Sequence, residues 1–179
     1  NIPELGGRKL HIEYTRPKTP DTPSFPSTDH IPLPSGLILI NDFLSQNEEK
    51  ELLKWIDSQP WNNTIGRRVQ HYGYPFDYKT RNVDLSKKME EPIPEILYQY
   101  IVRMVENKLL PDFAGRFSPF ELQSLDQITI NEYLPGQGIS SHVDTHSAFE
   151  GPIASLSLES PIVMDFDHPG MIYQRYPFV

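Results

Sequence analysis

A proline-rich segment restricts where this chain can form a compact fold. Residues 15–35 hold six of the chain's 18 prolines, with serine, threonine and aspartate between them. Proline lacks an amide hydrogen and has a fixed φ, so a segment with this spacing continues neither a helix nor a strand ladder. We therefore predict a proline-rich linker over 15–35 and a compact domain over 36–179.

The segment before the linker, residues 1–14, has the pattern of a short strand. Leu10, Ile12 and Tyr14 alternate along "GGRKLHIEYT" and would lie on one face of that strand. So few residues do not form a domain of their own. We expect this segment to be an extra edge strand or the last strand of a domain that lies upstream.

After residue 36, two helix patterns precede a cluster of strand patterns. Ser45 and Glu48 form a capping-box pattern at the start of a helix that continues to Gln59, and a second apolar stripe at helical spacing begins at about Pro94. We predict a buried strand at "GLILINDFLS", a hairpin at "GRRVQHYGYPFDYKTRNVD" and short strands at "QITINEYL", "HVDTH", "IASLSL" and "IVMDF". This order is typical of an α+β fold in which two helices back one face of a mostly antiparallel sheet or sandwich.

Composition and charge limit the classes of function. The chain has no cysteine, so thiolate metal sites and disulfides are excluded and any metal ligand must be His, Asp or Glu. No apolar run approaches the roughly 18 residues of a membrane span, and we expect a cytoplasmic, possibly also nuclear, protein without membrane contact. The net charge is −8, yet the segment 61–90 has six basic residues against three acidic ones and could form a local basic patch.

The stretch "INEYLPGQGISSHVDTHSAF" combines several polar side chains around a glycine-containing turn. Asn131 and Tyr133 are two residues apart, as are His142 and Asp144, so each pair would share one face of a strand. The intervening "LPGQG" suits a tight reversal that could place the two pairs side by side. A neutral imidazole and a carboxylate at this spacing can bind a divalent metal, as in two-thirds of the facial triad of non-haem iron oxygenases. The alternative is a polar strand end that binds no metal.

This stretch resembles the AlkB family of iron- and 2-oxoglutarate-dependent dioxygenases, whose pattern is Asn-x-Tyr, a turn rich in Pro and Gly, and His-x-Asp. "IASLSLESPIVMDFDHPG" resembles the same family, with the nearest likeness to its tRNA-modifying member, over residues of about 36–170. The resemblance implies a double-stranded β-helix (jelly-roll) core, Fe(II) held by His142 and Asp144, and 2-oxoglutarate contacted by Asn131 and Tyr133. It also implies molecular oxygen as cosubstrate, hydroxylation of a modified wobble uridine in tRNA, and an upstream RNA-recognition motif whose last strand lies in residues 1–14.

The segment "RRVQHYGYPFDY" lies where that family has its nucleotide-recognition lid. Its two arginines could neutralise phosphates and its aromatic rings could stack on bases. The residues predicted to bind tRNA or another nucleic acid are Arg67, Arg68, Tyr72, Tyr74 and Tyr78. In the alternative interpretation, most of these rings are core and the arginines are only solvated.

The rest of a facial triad is not evident in the sequence. The family has a second iron-binding histidine and carboxylate-binding arginines further along, whereas after Asp144 only His146 and His168 follow, and neither matches the family position. Three alternate strand residues span roughly 13 Å, which places His146 too far from His142 for one ion, although a break in the strand could relax that limit. His168 is expected at a turn, and Arg175 could bind a carboxylate.

We therefore expect an oxygenase domain that is incomplete at its C-terminus. One alternative hypothesis is a catalytically inactive RNA-binding or regulatory fragment. Another is a jelly-roll interaction module without a metal site.

Overall fold

The structure is a computed structural model, and it describes twelve stretches of the chain. These are residues 9–15, 37–63, 66–74, 76–80, 82–83, 86, 92–106, 127–140, 142–144, 153–160, 162–166 and 174–178. The predicted loop "LLPDFAGRFSPF", the linker 15–35 beyond Thr15, and both His146 and His168 lie outside them.

Among the described residues, two helices pack on the sheet. The first helix, α1 (Gln46–Ser58), begins with the predicted capping box: the Ser45 hydroxyl accepts from the Glu48 amide, and the Glu48 carboxylate accepts from the Ser45 amide at 2.8 Å. The second, α2 (Glu95–Glu106), begins after Pro94, whose carbonyl accepts from two amides of the first turn. Both predicted helices are therefore confirmed, because their start signals and apolar stripes are local properties of the sequence.

In the described stretches, the strands form one four-stranded sheet and two small hairpins. They are β1 (Lys9–Thr15), β2 (Arg68–Gly73), β3 (Phe76–Asp77), β4 (Asn82–Val83), β5 (Gln127–Tyr133), β6 (Ala154–Leu158), β7 (Ile162–Phe166) and β8 (Gln174–Phe178). The large sheet has the order β2-β5-β1-β6, while β3 pairs with β4 and β7 pairs with β8. The α+β class is thus confirmed; the closed jelly-roll that the resemblance implies stays a prediction.

The first strand takes a central position in the sheet. Segment β1 runs parallel to both β5 and β6, so that Ile12 lies opposite Ile130 on one side and Leu156 on the other. The expectation of an edge strand was therefore wrong, since both edges of β1 are paired. Whether this segment also belongs to an upstream RNA-recognition motif stays a prediction.

The core lies between the helices and one face of the sheet. Alternate residues of the strands, Tyr72, Ile128, Ile130, Leu156 and Leu158, pack there with apolar residues of both helices. We call this the helix face. All seven residues of β5 are buried, so its opposite face is covered as well.

Three strand predictions were wrong. Residues 37–40 form no strand, and Ile38 and Ile40 are exposed, because an apolar run does not by itself supply a pairing partner. Residues 142–144 are not in a strand either. The predicted hairpin around Gly73 does not form: β2 pairs antiparallel with β5, while the short strands β3 and β4 pair with each other.

Candidate functional site

Two predicted residues lie on the face of the sheet opposite the helices. Ile128 and Ile130 of β5 belong to the core, so alternation directs Thr129, Asn131 and Tyr133 to the other side. We call this the site face. Asn131 and Tyr133 are each only 2% exposed, as expected for two polar groups held by a fully buried strand.

The arginine before β2 contacts both of these residues. Arg67 donates from Nε to Asn131 Oδ1 at 2.8 Å, and its guanidinium carbon lies 5.5 Å from the centre of the Tyr133 ring. The first contact is a charge-assisted hydrogen bond and the second is within cation–π range. The register brings them together, because Val69, two residues after Arg67, lies opposite Asn131.

The next arginine lies on the other face and has a different partner. Arg68 is opposite Glu132 in the antiparallel pair, and two of its guanidinium nitrogens donate to the two carboxylate oxygens of this buried residue. Its guanidinium carbon also lies 4.6 Å from the centre of the Trp61 ring. The charge of Arg68 is therefore neutralised within the protein, and its role in binding phosphate stays a prediction.

The tyrosines of the predicted lid differ in exposure. Tyr72 is buried among core residues, where its ring lies 5.6 Å from Trp55 and its hydroxyl donates to Gln70 Oε1 at 3.1 Å. It offers no exposed face to a base, contrary to the prediction, because it has the same strand parity as the core residue Ile128 opposite it. Tyr74 is half-buried and Tyr78 is exposed, so both remain candidates for stacking.

A chain of hydrogen bonds that the sequence did not predict links Tyr78 to the site face. The Tyr78 hydroxyl lies 3.2 Å from His71 Nε2, and His71 Nδ1 lies 3.2 Å from the Thr129 hydroxyl. Partial burial raises the pKa of the Tyr78 phenol, and the positive charge of Arg67 lowers it in part. His71 alternates with the buried Tyr72, and this parity is the signal that could have revealed it.

The turn after β5 has the geometry that its sequence predicts. Gln137 donates its amide hydrogen to the Leu134 carbonyl at 2.9 Å, and Gly136 has a φ of 87°. A proline followed by a glycine with positive φ is the pattern of a type II turn. The Gln137 side chain holds the turn in place, since it accepts from the Leu134 amide at 2.8 Å and donates to the Gly66 carbonyl at 3.2 Å.

A cavity of about 350 Å³ opens between this turn and the loop before β2. Its lining combines both arginines with one carboxylate and two amide side chains. The residues are Asn63, Gly66, Arg67, Arg68, Glu132, Leu134 and Gln137. Because Glu132 neutralises Arg68, the cavity has the unbalanced positive charge of Arg67.

The predicted metal ligands follow the turn and face each other. His142 Nε2 lies 3.8 Å from Asp144 Oδ1, and both side chains are accessible, with exposed fractions of 47% and 27%. His142 Nδ1 lies 2.8 Å from the Ser140 carbonyl, which can only accept, so in the neutral imidazole Nδ1 bears the hydrogen and Nε2 presents its lone pair. Fixing the tautomer through the second nitrogen is usual for metal-binding histidines.

This pair suits a divalent metal. Two ligands at about 2.1 Å from one ion and at right angles to each other are separated by about 3 Å, so a small side-chain rotation would bring both atoms into range. Among the described residues, no group of three His, Asp or Glu side chains surrounds one point. The placement of the Asn131/Tyr133 pair beside this one stays a prediction.

Comparisons with known proteins agree with these features. Residues 36–172 match the profile of the 2OG-Fe(II) oxygenase superfamily. The chain is 41% identical over 172 residues to the "Alkylated DNA repair protein ALKBH8 homolog" of Arabidopsis thaliana, which covers 92% of this chain and 47% of that protein. It is 42% identical over 144 residues to the "tRNA (carboxymethyluridine(34)-5-O)-methyltransferase alkbh8" of Xenopus tropicalis, which covers 76% of this chain and 21% of that protein.

A more distant relative belongs to the same group. The "Alpha-ketoglutarate-dependent dioxygenase alkB homolog 4" of Homo sapiens is 32% identical over 142 residues, which is 76% of this chain and 43% of that protein. The chain thus spans less than half the length of each of these three relatives. No solved structure matches it.

Proposed function

This chain belongs to the 2OG-Fe(II) oxygenase superfamily and, within it, to the AlkB family, and from that premise we propose that it oxidises a modified uridine at the wobble position of tRNA. The family implies a dioxygenase that uses Fe(II) and 2-oxoglutarate. The observation on which the proposal rests most is the His142–Asp144 pair, whose histidine tautomer leaves Nε2 directed at the carboxylate. The name of the Xenopus relative, which specifies carboxymethyluridine 34 of tRNA, supports the choice of substrate.

In this proposal His142 and Asp144 hold the iron through Nε2 and a carboxylate oxygen. The Ser140 carbonyl keeps the imidazole in the tautomer that binds metal. When bound, the iron would activate O₂, of which one oxygen atom enters succinate as 2-oxoglutarate loses CO₂ and the other enters the substrate. The protein's own contribution is to orient these groups.

Asn131 and Tyr133 are proposed to contact 2-oxoglutarate. Both are held by the buried strand β5, and an amide and a phenol can donate hydrogen bonds to carboxylate or keto oxygens. Arg67 orients the Asn131 amide, because its Nε binds Oδ1 and so directs the amide NH₂ group away from itself. This leaves the NH₂ group available as a donor.

The proposed contact surface for RNA is the exposed part of the lid. Phe76 and Tyr78 form an edge-to-face pair with ring centres 5.2 Å apart, and Tyr78 is 37% exposed. Lys79, next to this pair, is exposed and adds a positive charge. An exposed ring beside a lysine can stack on a base and attract its phosphate.

Binding of iron and cosubstrate is tested by anaerobic titration with Fe(II) and 2-oxoglutarate. We expect a metal-to-cosubstrate absorption band that is lost in His142→Ala and Asp144→Ala but retained in Val143→Ala, whose side chain lies between the two ligands and is 80% exposed. If the wild-type chain gives no band while its circular dichroism shows a folded protein, the oxygenase proposal fails for this chain. The inactive RNA-binding fragment would then be the better hypothesis.

The substrate is tested with anticodon stem-loop RNAs that contain uridine, 5-carboxymethyluridine or its methyl ester at the wobble position. We expect the mass of a modified RNA to increase by one oxygen atom, in proportion to the succinate formed. Loss of a methyl group would instead indicate demethylation. Equal oxidation of RNAs that lack the modified uridine would contradict the proposed specificity.

RNA contact by the lid is tested with Tyr78→Leu and Lys79→Gln. Each should lower the affinity for the stem-loop by roughly tenfold, as expected for loss of a stacking ring or a phosphate contact. Lys54→Gln, which removes an exposed charge on helix α1, is the matched control. Equal affinities for all three variants would remove the lid from the contact surface.

A further inference from the structure

Two adjacent arginines that line the cavity differ in whether a carboxylate of the protein neutralises them. Arg68, on the helix face, is bound through two nitrogens to the buried carboxylate of Glu132. Arg67, on the site face, is half-buried and contacts an amide oxygen and an aromatic ring, neither of which neutralises it. Among the described residues, no carboxylate forms an ion pair with Arg67, so its charge is available to a ligand.

The orientation of Arg67 determines which of its nitrogens a ligand can reach. The hydrogen bond from Arg67 Nε to Asn131 Oδ1 holds the guanidinium group on its Nε side. The two terminal nitrogens, Nη1 and Nη2, then present a pair of parallel donors. This end-on fork matches the two oxygens of a carboxylate, and a lysine ammonium cannot reproduce it.

The surroundings of Arg67 suit a small anion. It lines the cavity of about 350 Å³, whose other polar groups include the amide side chains of Asn63 and Gln137. It also contacts Asn131 and Tyr133, the two residues proposed to bind the cosubstrate. A carboxylate bound here would lie between a fixed cation and several hydrogen-bond donors, partly shielded from water, where such contacts are strong.

We propose that Arg67 is a carboxylate-recognition residue of this site. This role rests on the proposed function. The carboxylate has two candidate sources: 2-oxoglutarate and the carboxymethyl group of the modified uridine. In both cases the Nη1/Nη2 fork of Arg67 binds the carboxylate while its Nε holds Asn131. A phosphate contact with the RNA backbone is the competing role.

The test measures binding rather than turnover, with Arg67→Gln, Arg67→Lys and the wild-type chain. Affinity for 2-oxoglutarate is measured from the anaerobic Fe(II) absorption band, and affinity for free 5-carboxymethyluridine against free uridine by calorimetry. We expect Arg67→Gln to lower the affinity for one of the two carboxylates by roughly 10- to 30-fold, as for loss of one partner of a partly buried charge pair. Arg67→Lys should restore only part of that affinity, because it keeps the charge without the fork.

Lys54→Gln is the matched control, since it removes one positive charge from helix α1, where Lys54 is exposed and away from the proposed contacts. It should bind both carboxylates as the wild type does. The ligand whose affinity falls in Arg67→Gln is the source of the carboxylate that Arg67 binds. If Arg67→Gln does not fold, Arg67→Lys alone must still show a loss, and wild-type affinity for both ligands in that variant overturns the proposal.

Three further outcomes decide between the proposals. Unchanged affinity of Arg67→Gln for both carboxylates overturns the role of Arg67 and leaves the oxygenase proposal intact. A loss confined to unmodified RNA, with a reduced salt dependence of RNA binding, also overturns it and indicates a phosphate contact. Failure of the wild-type chain to bind either carboxylate overturns both proposals.

Discussion

The ion pair between Arg68 and Glu132 should show a strong asymmetry when either partner is removed. The side chain of Glu132 is 2% exposed, whereas that of Arg68 is 36% exposed and also contacts Trp61. Substituting Arg68→Leu deprives a buried carboxylate of its guanidinium. Substituting Glu132→Leu leaves a guanidinium that water already reaches.

The exposed fractions of the two side chains set the expected losses of unfolding free energy. Breaking a fully buried ion pair costs about 3–5 kcal/mol, and because Arg68 is one-third exposed we take the lower end, about 3 kcal/mol, for Arg68→Leu. For Glu132→Leu we expect about 1 kcal/mol, the value of a partly solvated interaction replaced by an apolar group. The double variant should be more stable than Arg68→Leu alone, because the buried charge is then gone as well.

The assay is urea unfolding followed by tryptophan fluorescence and far-ultraviolet circular dichroism. The chain has two tryptophans, and both report on this region: Trp61 contacts Arg68, and Trp55 contacts the Tyr72 ring in the adjacent core. Arg67→Leu is the matched control for loss of an arginine and should cost less than Arg68→Leu, since Arg67 neutralises no buried carboxylate. Equal costs for Arg68→Leu and Glu132→Leu, or the reverse order, would refute the reasoning.

Three other predictions concern stability. Gly136→Ala should cost about 1–2 kcal/mol of unfolding free energy, because its φ is 87°; the cost comes from the backbone alone, since no atom lies within 4 Å of the new Cβ. Gly138→Ala, which also has open space around the new Cβ, should be nearly neutral in the same urea titration. The hydrogen bond from Arg103, followed by those from the amide and hydroxyl of Ser45, lowers the pKa of Glu48 from 4.5 to about 2, so the stability that this carboxylate contributes is complete above pH 4.5 and is lost as the pH falls toward 2. The difference in unfolding free energy between wild type and Glu48→Gln should shrink over that interval, and a constant difference would contradict this expectation. Tyr72→Phe should cost about 1 kcal/mol, since it removes a hydroxyl that donates to a buried amide side chain, and thermal unfolding compared with the wild type measures the loss.

The parts of the structure that the sequence could predict depend on residues close together in the chain. The capping box at Ser45 and Glu48 and the type II turn at Gly136 each require only four consecutive residues. The shared face of Asn131 and Tyr133 follows from strand alternation alone. The tautomer of His142 is likewise a local property, because its partner is the Ser140 carbonyl, two residues earlier in the chain.

The parts that could not be predicted depend on which strands pair. Strand β2 was expected to fold back on the segment after Gly73, but its partner is β5, more than 50 residues later. This pairing decides which of two adjacent residues faces the core: Arg68 lies opposite Glu132 and Tyr72 opposite Ile128, so both are on the helix face. Alternation shows that neighbours differ, but it does not show which of them is inside.

The central position of β1 has the same origin and extends the argument to the candidate site. Its parallel pairing joins residues separated by more than 100 positions in the chain, and no short motif encodes such a contact. Because β5 is bonded to β1 on one side and to β2 on the other, its backbone is fixed along the length that bears Asn131 and Tyr133. Non-local pairing thus fixes the placement of the two residues proposed to contact the cosubstrate, whereas their residue types are encoded locally. A motif can therefore identify the chemistry of this site, but only the paired sheet explains why Arg67, rather than its neighbour Arg68, faces it.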